Sequence, residues 1–339
     1  MEPTHVTVIM PIRNEARTIE QSLCAVLRQD YPKEFLQILI IDGDSSDGTS
    51  EIVEELIKKD PRVSVLTNPA KIVSTGMNIG IKHSIGDLII RVDGHTIISP
   101  SYVRGCVEEW HRTKADNVGG RMNAQGRNEF GRAVAAATSS VFGVGDARFH
   151  YSNKEEYVDS VYMGAWPRSL FVKLGGFDEE LIRNQDDEFN YRIGEAGGKI
   201  LLSPRIKSTY FVRSSPISLW RQYFQYGFWK IRVLQKHPRM MKLRQFVPAL
   251  FLLSLLLCGI IAILIKDFSL LKIILLTYLS TNLIFSILMG IKTRIANPIL
   301  LPLVFAILHL SYGTGFLSGC VYFATKWDDR NGKVPLIDD

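Results

Sequence analysis

Apolar runs of strand length alternate with helical stretches through the first hundred residues. Residues 6–12 (VTVIMPI), 38–41 (ILII) and 88–92 (LIIRV) predict strands, and residues 17–29, 49–59 and 75–84 carry helical spacing between them. Such alternation predicts a parallel α/β sheet, whose ligands bind at the carboxyl ends of the strands. Asp42 and Asp93 follow the second and third runs directly. One aspartate after a strand is a commonplace turn cap, whereas two at strand ends predict a shared polar crevice.

The pattern changes in the last hundred residues. Residues 246–265 carry no charge and are long enough, at 1.5 Å per residue, to cross a hydrocarbon core of about 30 Å. Residues 268–290 form a second candidate with only Lys272. Residues 299–324 form a third, holding His309, Tyr312 and small-residue breaks from Gly313 to Gly319. The third reads either as a span or as a bent, re-entrant helix, because its length and glycines suit both. Eleven Lys or Arg and no acid lie in residues 196–244, and Lys292 and Arg294 separate the second and third candidates. Basic flanks face the cytoplasm, so Lys266 and Asp267 are expected outside, and three full spans would put the tail from Lys326 outside too.

Charge and composition sharpen this division. The chain carries a net charge of +6, but no glutamate occurs after Glu195, so a cytosolic-looking head precedes an apolar tail. That balance excludes disordered, collagen-like and disulfide-scaffold classes. The four cysteines form no CxxC pair, which predicts neither zinc site nor disulfide. Charge and proline within the first fifteen residues exclude a signal-peptide core, so the head is expected to stay cytoplasmic. Residues 217–234 (ISLWRQYFQYGFWKIRVL) interleave six aromatics with Arg221, Lys230 and Arg232. Aromatic bodies and basic tips suit the membrane interface; the alternative is a helix packed wholly within the head. The apolar neighbours of this basic stripe argue against nucleic acid as a partner. The expected organisation is a catalytic head over 1–210, interface helices over 211–245, a transmembrane region over 246–325 and a polar tail over 326–339.

Five motifs in order, PIRNEA (11–16), IIDGDSSDGT (40–49), RVDGH (91–95), GGFDEEL (175–181) and NQDDEFNYR (184–192), resemble inverting glycosyltransferase family 2. With GVGDARFHYS and the apolar tail, the chain most resembles the membrane-bound succinoglycan-type exopolysaccharide subgroup, over most of residues 5–325. The resemblance implies a GT-A-like, Rossmann-related α/β domain with a mixed, mainly parallel sheet. Interfacial helices and a bundle of about three transmembrane helices would follow it. It implies that Pro11, Glu15 and Asp42 line the nucleoside pocket of a nucleotide-diphosphate sugar, a UDP-sugar above all. Lys71 and Asn78 would flank a segment closing over the donor. Glu15 also reads as a carboxylate favoured by the dipole of the helix that follows it.

By the same resemblance, Asp93 and His95 stand where the family carries its DxD metal motif, with histidine in place of the last aspartate. Imidazole nitrogen favours Mn²⁺ over Mg²⁺. The alternative leaves Asp93 alone on metal or ribose, with His95 bonded to a phosphate or carbonyl. Asp186 aligns with the family's catalytic base. Asp187 and Glu188 are the other candidates, with capping and pairing to Arg192 as their structural readings. Gln225 and Trp229 fall in the family's QxxRW position with Phe228 replacing the arginine, and Lys230 or Arg221 could supply the lost cation. That replacement favours transfer of a single sugar over polymer synthesis.

Trp166 could stack an acceptor sugar or lie in the core, and Arg148 could meet an acceptor diphosphate or solvent. A head held at a bacterial-type inner membrane by a basic, aromatic girdle suits a polyprenyl-diphosphate-linked sugar as acceptor. Transfer to a polyprenyl phosphate or another lipid acceptor, and a non-catalytic membrane scaffold with a degenerate sugar-nucleotide fold, are the competing readings.

Overall fold

A computed structural model describes residues 3–58, 60–239 and 241–338; the expected end of the second helix, Lys59, and the tail end, Asp339, lie outside them. In chain order the elements begin β1 (Val6–Ile12), α1 (Ile19–Leu27), β2 (Leu36–Asp42), α2 (Thr49–Ile57), β3 (Val63–Thr67), α3 (Val73–Lys82), β4 (Leu88–Arg91) and β5 (Thr96–Ile98). There follow α4 (Tyr102–Thr113), β6 (Asn117–Gln125), α5 (Glu129–Thr138), α6 (Val141–Val144), β7 (Glu156–Tyr157), β8 (Tyr162–Pro167), α7 (Arg168–Leu174), α8 (Gln185–Glu195) and β9 (Ile200–Phe211). The last helices are α9 (Pro216–Lys236), α10 (Leu243–Ile265), α11 (Ser269–Thr293) and α12 (Leu301–Tyr322). Two compact units result. The first holds residues 1–123, 151–210 and 332–339, and the second holds 124–150 and 211–331.

The first unit is a GT-A-like domain on one mixed sheet, ordered β3-β2-β1-β4-β8-β6-β9-β5 with β7 on β9. Strands β3, β2, β1 and β4 run parallel, and β8 joins β4 antiparallel, opposing Ile89 to Trp166. Parallel strands covered on both faces need apolar side chains at nearly every position. Val8, Ile9, Met10, Ile38, Ile40, Leu88, Ile89 and Ile90 all supply them, each essentially inaccessible to solvent. At about 1.5–3 kcal/mol for each fully buried apolar side chain, these strands contribute substantially to the unit's stabilisation. Helix α1 presents Ile19, Leu23 and Val26 to the sheet at spacings of four and three, one face of a helix. Behind α8, Trp166 is buried among Phe171, Phe177 and Phe189, all edge-on to it at 5.9–6.1 Å. It therefore has no face for an acceptor sugar, and the core alternative holds.

In the second unit, α10, α11 and the helix ending in α12 are each long and apolar enough to cross a membrane. Helix α12 runs unbroken through Gly313, Gly315 and Gly319. These glycines are contact points: a Cβ on Gly315 or Gly319 would strike the carbonyl oxygens of Phe224 or Phe228 in α9, and one on Gly313 that of Pro248 in α10. In α9, a Cβ on Gly227 would lie 2.1 Å from the Tyr312 carbonyl oxygen. The small residues therefore bring helix backbones together. Lys230 and Arg232, expected to reach headgroups, are instead 3% and 0% exposed. Arg232 donates from Nη1 to the Asp329 carbonyl at 2.7 Å and from Nη2 to its carboxylate at 2.9 Å, tying α9 to the chain beyond α12.

Candidate functional site

Two loops following parallel strands are laced together at the carboxyl edge of the sheet. Asn14, in a left-handed conformation, donates its backbone N–H to Ser45 Oγ at 3.0 Å and accepts from the Ser46 N–H at 2.9 Å. The Glu15 N–H reaches Thr49 Oγ1 at 2.8 Å, and the Ala16 N–H reaches Asp47 at 3.1 Å. Asp42, the last residue of β2, accepts from the Ser45 hydroxyl at 2.6 Å and the Ser50 hydroxyl at 2.8 Å. Pro11 opposes Ile41 on the paired strand, so the sheet itself sets the spacing of these loops.

The β4–β5 turn adds Asp93 and His95. His95 Nδ1 lies 2.9 Å from Glu15 Oε1, and its ring stands edge-on to Tyr210 at 5.4 Å. Gly94 fits between them because an added Cβ would meet Ile12 and Glu15 at 3.0 and 3.1 Å. A histidine bonded through one ring nitrogen to a carboxylate is fixed in tautomer, the arrangement that prepares the other nitrogen as a ligand. Among the described residues no group of three potential ligands converges, so Asp93 and His95 form at most a partial donor set.

Arg91 was missed in the sequence and links the turn to α8. Its Nε donates to Asp93 at 2.7 Å, and its Nη1 is ion-paired with Asp186. Burial disfavours its charge, but Asp186 and Asp93 more than offset this and raise its pKa. Burial pushes Asp93 up, yet Arg91 and His95 outweigh it and hold the carboxyl below its ordinary value. Tyr162 also donates to Asp93, at 3.4 Å. Asp186 behaves oppositely. Desolvation, helped by the charges of Asp93 and Asp187 against the pull of Arg91, raises it to about 6. The signal for Arg91 was available in LIIRV: a lone charge closing an apolar strand just before an aspartate.

Of the other acids of NQDDEF, Glu188 takes the pairing reading, but neither it nor Asp187 caps the helix, whose N-cap is Asn184. Helix α8 begins at Gln185, putting Asp186, Asp187 and Glu188 in its first turn, where the helix dipole favours carboxylates. Glu188 is buried and grips Arg192 through two bonds of 2.8 and 2.9 Å. Arg192 in turn donates to the Leu174 and Gly176 carbonyls, each at 2.7 Å. Asp187 accepts a 3.4 Å bond from Ser160. Asn78 uses its amide on the same loop: Nδ2 donates to the Phe177 carbonyl and Glu179, and Oδ1 accepts from the Phe177 N–H. Lys71 is ion-paired with the exposed Asp44, holding that carboxyl below its usual range.

The remaining candidates belong to the second unit. Arg148 is exposed on a short 3-10 turn, while burial lowers its neighbour His150 to about 4. Trp220, Arg221, Phe224, Gln225, Phe228 and Trp229 line an open groove of about 480 Å³ along α9.

Residues 7–170 match the family described as glycosyl transferase family 2. The succinoglycan biosynthesis protein ExoA of Rhizobium meliloti is 32% identical over 247 residues, covering 72% of this chain and 74% of that protein. The chain belongs to glycosyltransferase family 2. A relative from Methanococcus voltae, dolichyl N-acetyl-alpha-D-glucosaminyl phosphate 3-beta-D-2,3-diacetamido-2,3-dideoxy-beta-D-glucuronosyltransferase, is 28% identical over 325 residues, 93% of this chain and 97% of its own. The mannosyltransferase PcManGT of Pyrobaculum calidifontis, solved with GDP-Man and Mn²⁺, shares the fold at a TM-score of 0.60 and 16% identity, covering 94% and 88% of the two chains.

Proposed function

We propose that this glycosyltransferase moves a single sugar, with inversion, from a nucleotide-diphosphate sugar, preferably a UDP-sugar, to a polyprenyl-diphosphate-linked sugar at the inner face of a bacterial-type plasma membrane. The observation that carries the reading is the contact of Asp186 with the Arg91 that also holds Asp93, in a setting that raises Asp186 to about 6. A general base works best with a pKa near the operating pH. Asp186 takes the proton of the acceptor hydroxyl, the oxygen bonds to the anomeric carbon, and the bond from that carbon to the diphosphate oxygen breaks on the opposite face. Arg91 keeps Asp186 oriented and largely ionised at neutral pH.

Pro11, Glu15 and Asp42 shape the nucleoside side of the site, and Ser45 and Ser50 fix the Asp42 carboxylate before a base arrives. A divalent cation held by Asp93 and His95 would supply Lewis-acid stabilisation of the departing diphosphate, and the imidazole favours Mn²⁺ over Mg²⁺. Gln225 and Trp229 offer the acceptor lipid an apolar groove with a polar edge. Two names bear on the acceptor: succinoglycan biosynthesis for one relative supports a role in exopolysaccharide assembly, and a dolichyl-linked sugar phosphate for the other supports an acceptor on a lipid. The second of these favours a sugar on a monophosphate as an alternative acceptor.

The test is transfer from labelled UDP- and GDP-sugars to polyprenyl-diphosphate- and polyprenyl-monophosphate-linked sugars. Asp186→Asn should bind nucleotide like the wild type by titration calorimetry, yet turn over at least about 10²-fold more slowly. A variant within a few-fold of wild type would remove Asp186 from the base role. EDTA should abolish transfer and Mn²⁺ restore it; undiminished transfer in EDTA would contradict the cation reading.

A further inference from the structure

We infer that the chain crosses the bilayer twice, by α10 and α11, while α12 stays on the side of the catalytic unit despite its apolar composition. The inference rests on the membrane attachment proposed above and decides which helices provide it. Its first ground is parity. After α12 the chain rejoins the first unit at the GGFDEEL loop. The Gly176 N–H donates to the Pro335 carbonyl, the Glu179 N–H to the Lys333 carbonyl and the Lys333 N–H to Asp178 Oδ1, all at 2.9 Å. Gly175, at φ +78°, leaves room for Val334 and Pro335, which a Cβ would meet at 2.7 and 3.1 Å. The GGFDEEL loop, which precedes all three apolar helices, and residues 333–335, which follow them, thus belong to one folded body. Three crossings would separate them by about 30 Å of hydrocarbon. The number of crossings is therefore even, and three full spans are excluded.

The second ground selects the helix that stays behind. In α10 and α11 only 11% and 17% of the apolar window is buried inside the protein, against 50% for α12. Helix α12 lies backbone to backbone on α9 through Gly315 and Gly319, and α9 carries the buried Lys230, Arg232 and Lys236. Charges at bilayer depth are costly, so a helix bound along this one belongs outside the hydrocarbon. Midway along α12, His309 Nε2 lies 2.8 Å from the Phe142 carbonyl of α6 and the Phe142 ring packs against Phe305, while α11 meets the same region through Phe285 and through Tyr278, whose hydroxyl lies 3.1 Å from His309 Nδ1. Half of the apolar window of α12 is thus consumed within the protein, with Leu303 and Val321 left exposed near its ends.

The bilayer fits the remaining pair. Helices α10 and α11 have 23 and 25 residues. At 1.5 Å per residue these are about 35 and 38 Å, enough for a core of about 30 Å. Outward-facing Leu250, Leu257, Ile261 and Leu264 on α10, with Leu276, Leu283 and Ile287 on α11, supply lipid-facing surface. Lys242 and Arg244 open the hairpin and Lys292 and Arg294 close it, four basic residues against Lys266 and Lys272 beside Asp267 at its turn, the excess that positive-inside orientation requires. Beyond that end, Asn297 Nδ2 donates to Glu129 Oε2 of α5 at 3.2 Å.

The experiment places single cysteines at Glu34, Asp267 and Asp338, all exposed, in otherwise cysteine-free full-length protein in sealed membrane vesicles of known orientation. A membrane-impermeant maleimide should label Glu34→Cys and Asp338→Cys from one face and Asp267→Cys from the other. Labelling of Asp338→Cys from the face of Asp267→Cys would restore three crossings and overturn the inference. Labelling of all three from one face would overturn it differently, by removing membrane crossing itself. Since removal of the native cysteines could impair folding, the same comparison is made by protease protection of a C-terminal epitope tag on the wild-type chain. The tag should be digested together with the head, and its survival when the head is digested would contradict two crossings.

Discussion

Each unit buries an arginine against aspartate, and the two pairs serve opposite ends. Arg232 is fully enclosed, and Asp329 receives it through both a carbonyl and a carboxylate, so its donors are answered and the pair staples α9 to the chain beyond α12. Arg91 is divided between Asp93 and Asp186, and the Asp186 side chain remains 32% open. A buried ion pair stabilises only when its geometry satisfies both partners. In the first unit the arrangement leaves Asp186 with a raised affinity for a proton, a property useful to chemistry and unhelpful to stability. The second unit gains its order from close backbones and the first from aromatic packing behind the charged edge.

That contrast can be broken most strongly at Trp166. Trp166→Ala should cost about 3–5 kcal/mol, the range for deleting a buried aromatic. Loss of nucleotide binding should accompany thermal unfolding in detergent. An unchanged melting profile would show that the aromatic cluster does not hold α8 in place. A smaller effect is expected at Gly227, where a methyl group must displace the Tyr312 carbonyl. Gly227→Ala should cost about 1–3 kcal/mol, as overpacking does, while nucleotide affinity stays near wild type. If melting is unaffected, α9 and α12 are not in backbone contact. If nucleotide affinity falls with it, the two units do not keep the separate roles assigned to them.

What the sequence made legible followed from local pattern. Strands β1, β2 and β4 are dense in β-branched residues, and their ends deliver Asp42 and Asp93 where strand–helix alternation predicts ligands. Strands β6 and β9 were not legible: NVGGRMNAQ and ILLSPRIKSTYF open on stretches interrupted by glycine or proline, and a period of two appears only in their second halves. Their pairing is set by distant partners. The glycines of α12 read as breaks because a single chain shows no neighbouring backbone, although Gly315 and Gly319 are spaced four apart, as a helix contact requires. Glu188 and Trp166 were each read with two alternatives, and burial settled both toward structure. The tail's return to Gly176 is a long-range contact with no local signature.

The most direct measurement of the central claim is the pH dependence of kcat/KM for sugar transfer, which reports the groups of the free enzyme, in the wild type and in Arg91→Met. The base must be ionised to accept a proton, so the wild-type rate should rise with pH and level off above an inflection near 6, the value to which desolvation brings Asp186. Arg91 lowers that value, so its replacement should move the inflection to higher pH while nucleotide binding, measured in parallel, reports that the fold survives. A rate that is flat between pH 5 and 8 in the wild type, or an inflection unmoved in an Arg91→Met protein that still binds nucleotide, would contradict the account.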